Sequence, residues 1–374
     1  LEQKNYTKAR RLVDHLLQQD PQNPTNYVLL GNLYELEHDS AQAVSAYSRA
    51  LELDPRSQET LLRLYRMLRH RQQWGLLIDV LSRLLAQDPT DPRKALMLGE
   101  AYLFTEQYGA VDSLLQPFRD APNFKEQVYE LLARAAIGAQ QLDKAENYLR
   151  TLVQINPKNK FGWVYLALVY NQQNDHEEAL RVLQMALTYF KDDPILLNIY
   201  GSTLIQEKRY TEARNVLEKA HQAQPDDRDI IVSLGIVYDQ LKLYPQLDSL
   251  YQYALQKYPN DPLLLNNYAY SLAERGKNLE AALQMAQKAL ARDSTNGAFL
   301  DTIGWIYYKL GDYQTALEYL LLAEKNREES AEVMSHIAEV YLKLGDLENA
   351  RKYFQRALQL EPDNNAIKQK LQQL

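Results

Sequence analysis

The sequence predicts an all-α protein in which short helices stack in pairs to form an extended array. The first observation is a small residue, Gly or Ala, that returns every 34 residues along most of the chain. The second is a pair of alanines that recur 12 and 19 residues after that position in most repeats, and the third is a proline that closes most repeats. A fixed period of this length is the signature of stacked helix–turn–helix units, each of which buries its apolar face against its neighbours.

The small residues mark the points where two helices are expected to approach each other closely. A bulky side chain at such a contact would overpack it, at a cost of about 1–3 kcal/mol. Tyr65 is the one large residue in the series, and one step, before Gly304, is 35 residues instead of 34. The small residues are Gly31, Gly99, Ala133, Ala167, Gly201, Gly235, Ala269, Gly304 and Ala338.

The recurring proline accounts for the ends of the helices. Proline lacks the backbone N–H that the interior of a helix needs, but it fits the first turn of a helix. The prolines therefore separate one helix pair from the next. Pro117 falls inside a predicted second helix, which we expect it to interrupt.

The period divides the chain into one half unit, ten complete units and a short final segment, which we interpret as a single continuous domain over residues 1–374. Residues 1–23 are predicted to be the second helix of an incomplete unit, and residues 365–374 a polar capping helix. The chain begins at Leu1 rather than at a methionine, so we expect it to be the repeat region of a longer protein. The complete units are predicted at 24–57, 58–91, 92–125, 126–159, 160–193, 194–227, 228–261, 262–296, 297–330 and 331–364.

Composition excludes several classes of function. The net charge is −7 and both signs are interspersed, whereas proteins that bind nucleic acids normally carry a basic stripe. No stretch approaches the 18 apolar residues of a membrane span, so any membrane anchorage would come from a segment missing at the N-terminus. Cysteine is absent, which excludes disulfides and thiolate metal sites.

Residues that carry chemistry do not form a recognisable pattern. The sequence contains no glycine-rich phosphate loop, no Gly-x-Ser-x-Gly turn and no His-Glu-x-x-His pair. The six histidines lie at different offsets within the repeat, which favours surface or packing roles over a shared metal. We therefore predict no enzymatic activity, no cofactor, no metal and no small-molecule substrate.

The segment from Gly304 to Tyr313, Gly-Trp-Ile-Tyr-Tyr-Lys-Leu-Gly-Asp-Tyr, followed by Ala316 and Ala323, resembles the tetratricopeptide repeat. The resemblance extends over essentially the entire chain. It implies a right-handed superhelical solenoid whose first helices line a concave face. Positions two, five, nine, twelve and thirteen of each unit would then point into the groove, where a partner protein or an extended peptide would bind.

These positions predict a protein-binding face in three zones. Units two to four supply basic side chains, which suit either an anion or acidic tail, or only a solvated face: Arg66, Arg69 and Arg134. Units five to seven mix apolar side chains with amides, as in a peptide channel, although packing between helices is the alternative: Phe161, Asn171 and Asn198. Units eight to ten supply Asn266, Tyr270, Asp301, Trp305 and Tyr308.

Trp305 is the most informative residue of the third zone. It directly follows the small residue of its unit, at a groove position where packing demands do not call for tryptophan. Exposed Trp, Tyr and Arg dominate binding energy at interfaces. With Tyr308 and Tyr270, it is predicted to form an exposed aromatic ledge. The alternative is that these rings pack across neighbouring first helices.

A narrower resemblance concerns units eight to ten. The run from Asn267 to Glu274, the long turn from Arg275 to Asn278, and the run from Phe299 to Trp305 are similar to bacterial envelope lipoproteins with tetratricopeptide repeats, some of which are adaptors of carboxyl-terminal processing proteases. This resemblance implies a non-enzymatic scaffold in the periplasm or at the outer membrane, with a cytoplasmic location as the alternative.

Two other functions remain open at this point. Apolar residues in the first helix, Leu12, Val13, Leu16 and Leu17, could drive self-association into a homo-oligomer. The chain could also be the accessory repeat region of a larger enzyme. Both alternatives keep the predicted fold.

Overall fold

A computed structural model describes residues 2–326 and 329–374 of the chain. Within these residues the elements are 22 α-helices and one 3-10 helix, with no strand. The prediction of an all-α fold is confirmed. Consecutive helices pack against each other in pairs, and the helices group into two compact units.

The first compact unit, unit 1, comprises Leu1–Phe190. Its apolar core lies between the paired helices, with Tyr47, Leu51, Leu64, Leu68 and Leu81 among the buried side chains. Its helices are α1 (Glu2–Gln19), α2 (Pro24–Leu36), α3 (Ser40–Leu53), α4 (Gln58–His70), α5 (Trp74–Gln87), α6 (Pro92–Phe104), α7 (Tyr108–Leu115), α8 (Lys125–Gly138), α9 (Leu142–Ile155), α10 (Lys160–Gln172) and α11 (His176–Tyr189).

The second compact unit, unit 2, comprises Lys191–Leu374. Its core includes Leu320, Ile337 and Phe354. Its helices are α12 (Pro194–Gln206), α13 (Tyr210–Ala223), α14 (Arg228–Gln240), α15 (Tyr244–Lys257), α16 (Pro262–Glu274), α17 (Leu279–Leu290), α18 (Gly297–Leu310), α19 (Tyr313–Asn326), α20 (Ala331–Leu344), α21 (Leu347–Leu360) and α22 (Asn365–Gln373).

Capping side chains define where the first helix of several pairs begins. Asp193, Asp227, Asp261 and Asn296 precede α12, α14, α16 and α18, and each side chain accepts hydrogen bonds from two backbone N–H groups of the first turn. Such a cap satisfies donors that have no partner inside the helix and contributes about 1 kcal/mol. These four caps fix the starts of first helices in unit 2.

The recurring small residues lie at close contacts between the two helices of a pair. A Cβ atom added to Gly304 of α18 would lie 2.7 Å from Cγ of Leu320 and 3.1 Å from the carbonyl oxygen of Ala316, both in α19. In the same way, the ring of Tyr251 in α15 fills the space beside Gly235 of α14. The predicted role of these residues is confirmed.

The turn inside each helix pair contains a residue with a positive φ angle that recurs at the period of the sequence, and the turn between α16 and α17 contains a second one, Asn278. Seven of the turns use a residue other than glycine, at φ of 56° to 60°, whereas the last three use Gly276, Gly311 and Gly345. A left-handed conformation is unfavourable for residues that carry a Cβ atom, and glycine adopts it freely. The seven other residues are His38, Gln72, Glu106, Gln140, Asn174, Lys208 and Lys242.

Pro117 interrupts a second helix, as predicted. Helix α7 ends at Leu115 after eight residues, and a 3-10 helix follows over Gln116–Phe118. In the described part of the chain, no helix combines the length and apolar character needed to cross a bilayer.

Candidate functional site

Unit 2 contains a cavity of about 410 Å³ on the side formed by its first helices. Helices α14, α16, α18 and α20 supply most of the wall, and α15 adds Leu247 and Tyr251. The volume lies within the range of about 300–1,000 Å³ that is typical of ligand sites. Three residues predicted from the sequence line this cavity: Asn266, Tyr270 and Asp301.

Asp301 forms a buried ion pair at the base of this region. Its Oδ1 atom lies 2.9 Å from Nδ1 of His336 in α20, and the two residues are 2% and 7% exposed. Burial by itself lowers the pKa of His336, but the adjacent carboxylate of Asp301, helped by Glu332 and Glu274, outweighs burial and raises that pKa. The neighbouring carboxylates therefore favour the charged form of His336, which offsets the charge of Asp301.

Trp305 is buried, and the prediction of an exposed aromatic ledge is wrong. Its ring stacks on His336 at 3.9 Å and on Tyr308 at 4.5 Å between centroids, and only 7% of the residue is exposed. Its indole N–H donates a hydrogen bond to Glu274. The rings pack between first helices because His336 of α20 supplies a flat surface against the indole.

Lys309 and Tyr308 complete the polar surroundings of this stack. The Lys309 ammonium lies 4.8 Å from the Trp305 ring centre and 3.7 Å from Glu274. The Tyr308 hydroxyl lies 3.5 Å from Glu339, which also pairs with Lys370 of α22. These carboxylates are therefore matched by lysines outside the cavity.

Tyr270 and Glu332 form a hydrogen-bonded pair on the cavity wall. The Tyr270 hydroxyl donates to Oε1 of Glu332 over 2.7 Å. Burial raises the pKa of Tyr270, and the charges of Glu332 and Glu274 raise it further. Tyr270 thus keeps its proton and orients the Glu332 carboxylate.

Asp239 and Asn266 supply two further acceptors to the wall. The Ser271 hydroxyl donates a hydrogen bond to Asp239. Asn266 is 6% exposed, and its Oδ1 atom has no hydrogen-bond partner among the described residues. Leaving a buried acceptor unsatisfied costs about 1–3 kcal/mol. This atom is therefore ready to accept a hydrogen bond from a ligand.

The predicted basic residues lie in unit 1 and are placed differently. Arg69 pairs with Glu100 at 2.9 Å, and Arg134 pairs with Glu130 at 2.7 Å while lying 4.8 Å from the ring centre of Phe161. Arg66 is exposed and forms no ion pair with another described residue. The structure brings Arg134 and Phe161 together, whereas Arg69 forms an ion pair with Glu100.

The two amide residues predicted for the middle of the groove, Asn171 and Asn198, lie in different compact units. In unit 1, the Oδ1 atom of Asn171 lies 3.2 Å from Nδ1 of His176. In unit 2, Asn198 of α12 is partly buried, and its Oδ1 atom has no hydrogen-bond partner within the described residues. Asn198 does not line the cavity around Asn266.

The four apolar residues of α1 present little apolar surface. Val13 is buried, Leu16 and Leu17 are half-buried, and Leu12 is the exposed member. Leu12 is therefore the one of these four residues whose side chain is largely open to solvent.

The hydrogen-bond acceptors of the cavity wall are not grouped around a metal site within the described residues. No three described His, Asp or Glu side chains lie close enough to hold a metal ion. His336 does not line the cavity, since it is enclosed by Asp301 and Trp305. What the cavity offers is a set of fixed hydrogen-bond acceptors.

Sequence reasoning missed Asp239, Ser271 and His336. Asp239 occupies position twelve of its 34-residue repeat, which is the groove position that Tyr308 occupies in its own repeat. The groove positions of the sequence could therefore have identified Asp239. The partnership of Asp301 and His336 was harder to find. They lie 35 residues apart, one more than the period, so they do not share a position in the repeat.

Comparison with known proteins agrees with this architecture. The profile described as "Cilia and flagella-associated protein 70 C-terminal domain" matches residues 2–258, and the tetratricopeptide repeat profile matches residues 302–365. The chain belongs to the family of tetratricopeptide-repeat domains that the first profile describes. The prediction of a repeat protein of this type is confirmed.

Individual relatives cover only part of the chain. The TPR repeat-containing protein PA4667 of Pseudomonas aeruginosa is 31% identical over 41% of this chain and 27% of its own length. The human protein O-mannosyl-transferase TMTC3 is 25% identical over 47% of this chain and 20% of its own length. The type IV pilus assembly protein PilF of Pseudomonas aeruginosa is 28% identical over 32% of this chain and 48% of its own length. The chain thus spans less than half the length of each of these relatives.

Solved structures share the fold. A tetratricopeptide repeat protein from Parabacteroides merdae superposes with a TM-score of 0.57 at 16% identity, over 66% of this chain and 97% of its own. A chain of the APC/C hetero-tetramer Cut9-Hcn1 superposes with a TM-score of 0.55 at 18% identity, over 94% of this chain and 76% of its own. The tetratricopeptide-repeat solenoid is therefore the fold of this protein.

Proposed function

We propose that this chain is a non-enzymatic scaffold that binds an extended segment of another protein along the first helices of unit 2. The observation that carries the proposal is the cavity, whose wall comes mainly from four successive first helices. A site that crosses several repeats suits a ligand that is long and extended. The superposition on a chain of the Cut9-Hcn1 hetero-tetramer adds a relative in fold that assembles with another protein.

The surface around the cavity has the composition of a peptide site. Ile236, 40% exposed, and the exposed Gln240 lie on the wall beside Asn267. Apolar side chains can contact those of a peptide, while amides bond to its backbone without reading its sequence. Interfaces of this kind combine an apolar centre with polar neighbours.

The test is a selection from a random 15-residue peptide display library on the full chain, followed by affinity measurements with two matched variants. Ile236→Glu changes the wall of the cavity, and Leu322→Glu changes a comparably exposed position, 47%, on the second helix α19. We expect Ile236→Glu to weaken the selected peptides at least tenfold and Leu322→Glu to leave them unchanged. Recovery of no binding peptide, or loss of binding in Leu322→Glu alone, would contradict the proposal.

We further propose that the protein works in a bacterial cell envelope. The support is the resemblance of the region from Asn267 to Trp305 to envelope lipoproteins and the match to a relative named for pilus assembly. Cell fractionation of the natural host, with antibodies against this chain, tests the location. Recovery in the periplasm or with the outer membrane is expected, and recovery in the cytosol would refute it.

A further inference from the structure

The wall of the cavity in unit 2 is acidic. Asp239, Asp301 and Glu332 line it, and no lysine, arginine or histidine occurs among the described lining residues. The charge of Asp301 is balanced by His336 behind the wall. Asp239 has a hydroxyl, not a cation, as its hydrogen-bond donor.

The nearby cations are already committed elsewhere. The Lys309 ammonium lies 3.7 Å from the carboxylate of Glu274, and Lys370 forms an ion pair with Glu339. Arg275 holds Asp248 through two hydrogen bonds of 2.7 and 3.1 Å, and its charge also interacts with Asp239. The protein thus provides no positive side chain that is free to enter the cavity from these neighbours.

A second observation points to a ligand that donates hydrogen bonds. The Oδ1 atom of Asn266 is buried in the cavity wall and has no partner among the described residues. A carboxylate can be solvated by water, but a buried amide oxygen without a partner is costly, so a donor from outside would stabilise it. Buried polar groups in native proteins normally have partners.

The spacing of the acceptors argues for an organic cation over a metal ion. No three acidic or histidine side chains in the described part of the chain come close enough to share a metal. The acceptors belong to different helices, α14, α16 and α20, and the ring of Tyr270 lies among them. A basic side chain can reach several acceptors with separate N–H groups and can also contact an aromatic face.

We propose that the cavity of unit 2 binds a lysine or arginine side chain of the polypeptide held by the first helices. The positive head group lies by Asp239 and donates a hydrogen bond to Oδ1 of Asn266. This inference rests on the proposed function, because the basic residue arrives as part of the bound segment. The occupant is thus a peptide with a basic residue at one fixed position.

The test uses the peptides recovered from the display library on the full chain. We expect them to share a lysine or arginine at one position, and replacement of that residue by glutamine to weaken binding at least tenfold. We expect Asp239→Asn and Asn266→Leu to weaken binding at least fivefold each. The matched control is Glu318→Gln, which removes an exposed charge from α19 outside the cavity and leaves affinity unchanged.

Salt dependence supplies a second measurement. Raising the NaCl concentration from about 50 mM to about 500 mM shortens the screening length and is expected to weaken the basic peptides at least threefold, and their glutamine counterparts by less. Circular dichroism and the affinity for the glutamine counterpart show whether each variant still folds. This keeps a loss of binding in Asp239→Asn interpretable.

The outcomes separate the two proposals. Peptides that depend on Ile236 but share no basic residue, or that bind Asp239→Asn as tightly as the natural chain, would overturn the basic-residue site and leave the scaffold proposal standing. Failure to recover any peptide would overturn both.

Discussion

Unit 1 and unit 2 each contain a cavity lined by aspartates, and they differ in whether basic side chains also line it. The cavity of unit 1, about 520 Å³, lies between the starts of α4 and α6 and includes Asp88, Asp91 and Lys94 in its wall. Lys94 is 2% exposed, with its ammonium 3.4 Å from Asp91 and 3.8 Å from Asp88. In unit 2, the described wall contains three acidic residues and no basic one.

The comparison shows what an internal cation does to such a cavity. Lys94 lies next to its aspartates, and Arg56 and Arg93 also line the wall, so basic side chains of the protein offset the acidic side chains of this cavity. In unit 2 the internal cation, His336, is paired with Asp301, and Glu332 and Glu274 also act on it. The remaining acceptors, Asp239 and Asn266, are the ones that a basic ligand can satisfy.

The largest effect is expected from removing the internal cation of unit 2. His336→Leu leaves Asp301 buried and uncompensated, which costs about 3–5 kcal/mol in the free energy of unfolding. The measurement is urea unfolding followed by Trp305 fluorescence in a Trp74→Phe, Trp163→Phe background, where Trp305 is the one remaining tryptophan.

Lys94→Met is the matched change in unit 1. Asp88 and Asp91 keep part of their contact with water, with side chains 42% and 24% exposed, so the expected cost is only about 1 kcal/mol. Equal costs for the two variants would show that the two cavities do not differ as described.

A close helix contact in unit 2 gives the next largest effect. Gly304→Val places a side chain against Leu320 and the carbonyl oxygen of Ala316, and the expected loss is about 1–3 kcal/mol. In unit 1, Gly109 of α7 has no atom within 4 Å of an added Cβ, so Gly109→Ala is expected to be neutral or to stabilise by up to about 1 kcal/mol. Thermal unfolding of both variants checks the pair, and a stable Gly304→Val protein would contradict the close contact.

The pH dependence of unit 2 follows from His336. Its pKa is raised in the folded state because Asp301, with Glu332 and Glu274, outweighs the effect of burial, so the folded state binds the proton more tightly than the unfolded state. This contribution is complete below about pH 6.5, the ordinary pKa of histidine, and is lost as pH rises through the raised pKa. One proton gives a slope of at most about 1.4 kcal/mol per pH unit.

The contribution of His336 to the pH dependence of stability can be isolated by urea unfolding at several pH values, in the natural chain and in His336→Gln. We expect the stability difference between the two proteins to shrink as the pH rises. His221 serves as an internal contrast, because burial lowers its pKa and its effect has the opposite sign. A difference that grows with rising pH would contradict the charged state of His336.

The smallest effect concerns the turns. Lys242 is exposed and adopts φ of 56°, where the last three turns of unit 2 have glycine. Lys242→Gly is expected to raise the melting temperature, with a gain of up to about 1 kcal/mol, because glycine carries no penalty in this conformation. Gly311→Ala, at φ of 88°, is the reverse change and should lose a similar amount.

The fold could be predicted from the sequence because its contacts are local and periodic. Gly31, Gly201, Gly235 and Gly304 each meet the second helix of their own pair, as Gly304 meets Leu320, so one spacing determines both helices. Pro117 was also predictive, since proline interrupts a helix wherever the helix lies.

The site could be predicted only in part. The sequence identified Asn266, Tyr270 and Asp301 because these residues occupy groove positions in two successive repeats. The burial of Trp305 could not be predicted, because it depends on His336 in the next 34-residue repeat. The imidazole ring of His336 stacks on the indole and covers it. Whether a groove position is open or covered depends on the packing between neighbouring pairs, which the period does not encode.

The most direct test of the account is a double-mutant cycle between the protein and a bound peptide. One arm replaces the shared basic residue of a selected peptide with glutamine, the other introduces Asp239→Asn, and titration calorimetry gives the affinity of all four combinations. We predict a coupling energy of at least about 1 kcal/mol, because each change removes the same charge contact. The same cycle with Glu318→Gln should give none. Additive losses within about 0.3 kcal/mol for Asp239→Asn would contradict the claim that the cavity of unit 2 binds a basic side chain.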